Sequence, residues 1–177
     1  MASGASWTAS GVPNCFTHLF QPVGIQILKQ YLNKNNVRLN LNATTKQEIL
    51  AELVQALVEN GIVRESAPLL DALLDREELG STGIGCGVAI PHVRCQEISK
   101  PAVVFGRTHQ EIEFDSIDGK PARIFFLLVA PENGGNDHLH LLAKIARLMK
   151  DAETRDMLLS VESPEELVVF FAAQDAQ

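Results

Sequence analysis

The sequence contains only three cysteines, Cys15, Cys86 and Cys95, and no Cys-x-x-Cys pair. That argues against a disulfide framework or a cysteine-based zinc site, and a reducing cytoplasm is the expected setting. Long apolar runs are missing as well. The longest, Ile124 to Pro131, falls far short of the roughly 20 residues that a membrane-spanning helix needs. The N-terminus shows no basic stretch followed by an apolar block, so neither export nor membrane insertion is expected. No two Lys or Arg residues adjoin, and the formal net charge is −7. Such a chain repels a phosphate backbone, which removes nucleic acid from the expected partners and leaves protein docking open. Nucleotide motifs fail in the same way. No Gly-Lys-Ser/Thr closes a P-loop, and Gly83, Gly85 and Gly87 open onto Val-Ala-Ile-Pro instead of the helix that a dinucleotide fingerprint requires.

What is present fits one compact domain, since 177 residues at 46% hydrophobic can bury a real core but not two full-sized ones. Met1 to Asn14 is rich in Gly, Ser and Ala and carries no charged side chain, so it reads as a flexible tail or an added remnant. Residues 15–177 are expected to form the domain. A short helix is expected over Ile25 to Leu32, then a half-buried strand in which Val37, Leu39 and Leu41 alternate with polar residues. Thr45 and Glu48 stand at capping-box spacing before a helix that buries Ile49, Leu50, Leu53, Val54 and Leu57 and stops at Gly61. A second helix starts near Ser66 and gives out before Gly80.

Three apolar runs follow, Val88 to Ile90, Ala102 to Phe105 and Ile124 to Ala130. The last lacks polar alternation, as a central strand covered on both faces would. Helices are expected after Asn136-Asp137, around Ala152 to Leu159, and from Pro164, which follows Ser163 and precedes Glu166 at the capping-box place. Strands alternating with helices indicate an α/β domain, and no internal repeat is visible.

The segment most informative about chemistry runs from Arg76 to His92. Four glycines within eight residues, Gly80, Gly83, Gly85 and Gly87, lead into a short apolar strand and then Pro91-His92. Two readings stand on that pattern alone. One is a nucleophilic histidine at a strand end beside a loop of accessible backbone N–H groups, and the other is a tight glycine turn with a surface histidine.

The run from Glu77 to His92 resembles the active-site signature of the fructose/mannitol-type enzyme IIA family of the phosphotransferase system. It has an acidic residue, six free positions, Ile84-Gly85, two free positions, and then Val88-Ala89-Ile90-Pro91-His92. The resemblance extends from about Asn33 to Phe171, taking in Leu127 to Pro131 and the run His138-Leu139-His140-Leu141-Leu142, and among family branches it is most like the nitrogen-related enzyme IIA. It implies a three-layer α/β domain, a mixed sheet flanked by helices, and no cofactor or metal.

The resemblance further implies His92 as the phosphorylated residue, Arg76 as the arginine that opens the motif, and His138 as the second active-site histidine. Gly83, Gly85 and Gly87 would form the phosphoryl-binding loop. The implied donor is a histidine phosphocarrier protein, and the recipient a regulatory target protein or a downstream enzyme IIB. A neutral ring nitrogen, a fixed tautomer and positive groups around the equatorial oxygens are what transfer between imidazoles requires.

The family normally has a small residue after Pro-His, where this chain has Val93, and Arg94 stands where lysine is common. Competing expectations are a zinc hydrolase built on His92, His138 and His140, which lacks a carboxylate ligand at recognisable spacing, and a regulatory module that has lost transfer. Within the family, a sugar-specific enzyme IIA competes with the nitrogen-related regulator. The absence of a fused cysteine-based phosphocarrier domain or membrane segment favours the regulator. His140 and His109 read as surface residues, His18 as part of the N-terminal region, and Cys86 and Cys95 as incidental. Glu111, Glu113, Asp115 and Asp118 read as a solvated acidic face.

Overall fold

In the computed structural model, which describes residues 27–174, the alternating pattern becomes a six-stranded mixed sheet with helices on both faces. The expected tail, Cys15, His18 and the start of the first helix lie outside the described residues. The strands are β1 (Val37–Leu41), β2 (Gly83–Gly85), β3 (Val88–Ala89), β4 (His92–Cys95), β5 (Ala102–Ile112) and β6 (Ala122–Pro131). The helices are α1 (Ile27–Tyr31), α2 (Lys46–Glu59), α3 (Ser66–Glu78), α4 (Asp137–Leu148), α5 (Ala152–Ser160) and α6 (Pro164–Gln174).

The unbroken apolar run of β6 has the consequence expected of it. Side chains alternate across a strand, so Phe125, Leu127 and Val129 pack with α2 and α3 while Ile124, Phe126 and Leu128 pack with α1, α4, α5 and α6. Phe125 and Phe126 are fully buried, and burial of each contributes about 1.5–3 kcal/mol. The result is three layers, helices over sheet over helices.

Local signals set the helix starts. Thr45 Oγ1 accepts the Glu48 N–H and the Glu48 carboxylate accepts the Thr45 N–H, a reciprocal cap. At α6, Ser163 Oγ accepts the Glu166 N–H, but the Glu166 carboxylate reaches the Glu162 N–H.

The sheet order is β1-β5-β6-β3-β2, with β4 also on β6. β1 is parallel to β5, β5 antiparallel to β6, and both β3 and β4 parallel to β6. Val88 stands opposite Ile124 and His92 opposite Leu128, so β3 and β4 keep one register along β6. They are one strand interrupted at Ile90-Pro91. Proline has no N–H to give the ladder, although its carbonyl still accepts the Leu128 N–H at 2.9 Å. The strand after His92 was not expected from the sequence, and neither was β2, which is short and two-thirds glycine.

Candidate functional site

His92 opens β4 and pairs in register with Leu128, so its ring faces the α4 side of the sheet. Its Nδ1 lies 2.8 Å from the Ile90 carbonyl. A carbonyl only accepts, so Nδ1 carries the proton and Nε2 presents a lone pair. Arg76, in the last turn of α3, brings Nη2 to 3.3 Å from that Nε2, while its Nη1 donates to the Gly80 carbonyl. Burial is the main cause holding His92 below the ordinary histidine range. The charges of Arg76 and His138 act the same way, against the Ile90 carbonyl and the Glu77 carboxylate.

His138 is the second residue of α4, and it lines with His92, Arg76 and Arg94 a pocket of about 230 Å³ floored by Leu128 and Ala130. Its Nδ1 is 3.2 Å from the Gly135 carbonyl, and Arg94 Nη2 lies against the ring, 3.1 Å from Nδ1 and 3.0 Å from Nε2. His140, two residues on, is exposed and does not line this pocket. Among the described residues no group of three or more His, Cys, Asp or Glu side chains stands ready to hold a metal ion.

The three glycines are not brought to the histidine. Gly83 and Gly85 lie in β2, which pairs antiparallel with β3, and Cys86-Gly87 is the two-residue turn between them, with φ of 54° and 77°. Positive φ at both central residues is the conformation hairpin turns of this length favour. Gly87 is five residues from His92 along the strand, up to about 16 Å at strand rise. One N–H of this turn and one of β2 are also in use. The Asp118 carboxylate accepts the Cys86 N–H at 2.9 Å, and Ser81 Oγ accepts the Gly83 N–H at 3.1 Å. A Cβ on Gly83 would come within 2.6 Å of Ser116 Oγ. The expected phosphoryl-binding loop of Gly83, Gly85 and Gly87 is therefore a hairpin packed on residues 116–118, with its turn at the far end of β3.

Sequence reasoning missed two participants. Arg94, noted only as a substitute for lysine, donates through Nη1 to the carbonyls of Pro131, Glu132 and Gly134 and through Nη2 to His138. Its signal was its spacing, two residues after His92 and so on the same strand face. Glu77 is buried, accepts from the Thr82 N–H and hydroxyl, and pairs with Lys46 Nζ at 2.8 Å. It ties the end of α3 to the start of β2 and so fixes the helical turn that carries Arg76.

The remaining expectations are placed directly. Val93 borders the pocket but packs against the α2/α3 core cluster, since successive strand residues face opposite ways. His109 is exposed on β5 with Nε2 2.9 Å from Asn40 Oδ1. Cys86 is exposed, and Cys95 is half-buried against the α2/α3 cluster. Glu111 and Glu113 are exposed, Asp115 pairs with Lys46, and Asp118 is the hairpin's own anion. No helix among the described residues is long and apolar enough to cross a membrane.

Comparison with known proteins places the chain in a family. The profile of the family described as Phosphoenolpyruvate-dependent sugar phosphotransferase system, EIIA 2, matches residues 30–174. A nitrogen regulatory protein of Pseudomonas aeruginosa is 31% identical over 140 residues, 79% of this chain and 91% of that protein. The PTS system fructose-specific EIIA component of Haloferax volcanii is 39% identical over 121 residues, 68% of this chain and 79% of that protein. Of the PTS system fructose-specific EIIABC component of Bacillus subtilis, 33% identical over 141 residues and 80% of this chain, the chain spans only 22%.

Among solved structures, the nitrogen regulatory protein IIA-Ntr of Neisseria meningitidis superposes with a TM-score of 0.76 at 33% identity, covering 81% of this chain and 98% of that one. A complex of enzyme IIAMTL and phosphorylated enzyme IIBMTL from Escherichia coli gives 0.65 at 26% identity, covering 78% of this chain and 95% of that one. With the profile spanning nearly all described residues and relatives matched over most of their own length, the chain belongs to the EIIA 2 family of the phosphoenolpyruvate-dependent sugar phosphotransferase system.

Proposed function

We infer that this protein is a stoichiometric phosphoryl carrier in which Nε2 of His92 takes a phosphoryl group from a histidine phosphocarrier protein and passes it on. The observation that carries the reading is the setting of the His92 ring, with Nδ1 against the Ile90 carbonyl and Nε2 beside Arg76 in an open pocket, an arrangement that favours the neutral Nδ1–H tautomer. A nucleophile needs the Nε2 lone pair, and a fixed tautomer presents it without reorganisation.

Transfer then balances without a moving proton. The donor's N–P bond breaks, its electron pair stays on the donor ring, and a new Nε2–P bond forms. His92 becomes a phosphorylated imidazolium that keeps Nδ1–H, whose charge the Ile90 carbonyl stabilises. Arg76 can turn from the lone pair to the phosphoryl oxygens, where a pre-placed donor stabilises the charge in flight.

The recipient is a regulatory target protein in a nitrogen-related circuit. Relatives named nitrogen regulatory protein, matched over 91% of one such chain and 98% of a solved one, support that assignment. The fructose-specific relatives support sugar uptake through an enzyme IIB as the second reading. Val93, the residue that favoured a module without transfer, borders the pocket but packs against the α2/α3 core cluster, on the strand face opposite His92.

Incubation with a phosphorylated histidine carrier, followed by intact mass before and after mild acid, tests the proposal. One added phosphate, lost in acid and absent in His92→Ala, is expected. No uptake from a competent donor would overturn it.

A further inference from the structure

Arg94 holds a position that the transfer scheme above does not use. It follows His92 by two residues on β4, so both side chains leave the same strand face with Cα atoms about 6.6 Å apart, and both line the same pocket. Its guanidinium is engaged with residues 131–138 and not with His92. Nη1 lies 3.1, 3.0 and 3.2 Å from the carbonyls of Pro131, Glu132 and Gly134, and Nη2 lies 3.0 Å from His138 Nε2. One exposed side chain thus fastens the segment between β6 and α4, and the second histidine, to the strand that carries the first.

The three acceptors of Nη1 are all uncharged backbone carbonyls. Nη1 has two hydrogens for three carbonyls, so at least one hydrogen is shared between two acceptors. Arg94 forms no ion pair with a carboxylate among the described residues. A phosphoryl dianion on His92 would change the competition. Charge-assisted bonds to phosphate are roughly twice as strong as those to neutral acceptors, and the planar guanidinium matches phosphate oxygens two at a time.

We propose that Arg94 is a phosphoryl-binding residue that changes partners with the state of His92: it clamps residues 131–138 when His92 is free and releases them to hold the phosphoryl group when His92 is modified. The proposal rests on the carrier reading above. It makes the β6–α4 segment the surface on which a partner distinguishes the two forms, because that segment loses its tether when the phosphoryl group arrives. His138 is freed in the same step, its Nε2 no longer facing a cation, and can turn toward the phosphoryl oxygens.

Two backbone amides report on the clamp. Gly134 N–H donates to the Pro131 carbonyl and Glu132 N–H to the Cys95 carbonyl, so both are protected while the segment is held. Hydrogen exchange of the full chain, with and without prior phosphorylation by a histidine carrier, is to be compared for wild type and Arg94→Gln, with intact mass taken on each sample. In wild type, phosphorylation should speed exchange at Gly134 about tenfold, the scale of one lost hydrogen bond to a charged group. Arg94→Gln should exchange fast in both states. Unchanged Gly134 exchange in a sample whose mass shows the phosphate overturns this proposal alone. A phosphorylation-dependent rise that persists in Arg94→Gln also overturns it, since the segment would then be released by another route. Absence of the added phosphate overturns the carrier reading and this proposal with it.

Discussion

The two ends of the segment from Gly83 to Cys95 look alike in sequence, each combining turn residues with potential anion contacts, and they behave oppositely. At the hairpin end the N–H of Cys86 is occupied by the carboxylate of Asp118, and Gly83 sits against Ser116 with no room for a side chain. At the other end Arg76, Arg94 and two imidazoles converge without an ion-paired carboxylate among them, on a pocket floored by Leu128 and Ala130. Among the described residues the carboxylate acting on His92 is Glu77, and that is committed to Lys46 and Thr82. On the proposed reading, uncompensated positive charge and not glycine content is what suits the His92 end to an anion.

The comparison predicts that the two ends fail in different ways. Arg76→Ala should slow phosphoryl transfer about 10²- to 10³-fold, the usual cost of one donor to a transition-state oxygen, with an unchanged melting temperature. Rapid-quench transfer and a thermal melt on the same preparation check it, and a loss of stability equal to the loss of rate would assign Arg76 to the fold. Gly83→Ala should do the reverse. Forcing a Cβ into backbone and side chain of Ser116 costs about 1–3 kcal/mol, read as a drop of roughly 2–4 °C per kcal/mol in melting temperature. Transfer per folded molecule should be intact. Slowed transfer by a fully folded Gly83→Ala protein would return the hairpin to the site.

The pH dependence sharpens the same contrast. With His92 held below the ordinary histidine range, the neutral nucleophile should persist through pH 6.5 and transfer should fall only in more acid solution. The stability sign follows. As pH falls below about 6.5 the unfolded histidine takes its proton first, so the contribution of neutral His92 to stability is present above that pH and is lost as pH drops through the folded value. Arg76→Gln removes a charge that disfavours protonation and should move the fall in transfer rate to higher pH. A profile centred at or above 6.5 in the wild type would contradict the buried, neutral ring. The smallest effect is expected at His140. Exposed and away from the pocket, His140→Ala should alter neither transfer nor melting, and damage comparable to that of His138→Ala would reverse the assignment within the pair.

Wherever a local rule sufficed, the fold was legible in the sequence. The Thr45–Glu48 cap, Pro164 at the first turn of α6 and the unalternating apolar run of β6 each act within a few residues, and each forms as read. The expected break after Pro91 was half legible. Proline does interrupt the ladder, but β6 offers a partner beyond it, and the strand resumes at His92 in the same register. The second strand of the hairpin was hidden because Gly-Ile-Gly has little strand preference of its own. It pairs because β3 lies beside it.

For the site the division is similar. Arg76, His92 and His138 were implied by the resemblance to the enzyme IIA family, and they come together as a set around one pocket. Lys46 and Arg94 could not, because what matters about them is what lies across from them. Lys46 meets Glu77 from another helix, and Arg94 meets carbonyls 37 to 40 residues away in sequence.

By itself, then, the sequence determined the periodicities and the caps, which follow from side-chain chemistry and short-range backbone geometry, while the candidate nucleophile and cation came from its resemblance to a family. Only the tertiary structure decided where the glycines point, which anion already fills their turn, which face Val93 takes and what Arg94 holds. Each of those depends on the register of β3 and β4 along β6, and register is set by burial on two sheet faces at once, where a shift of one residue would exchange every buried side chain for its neighbour.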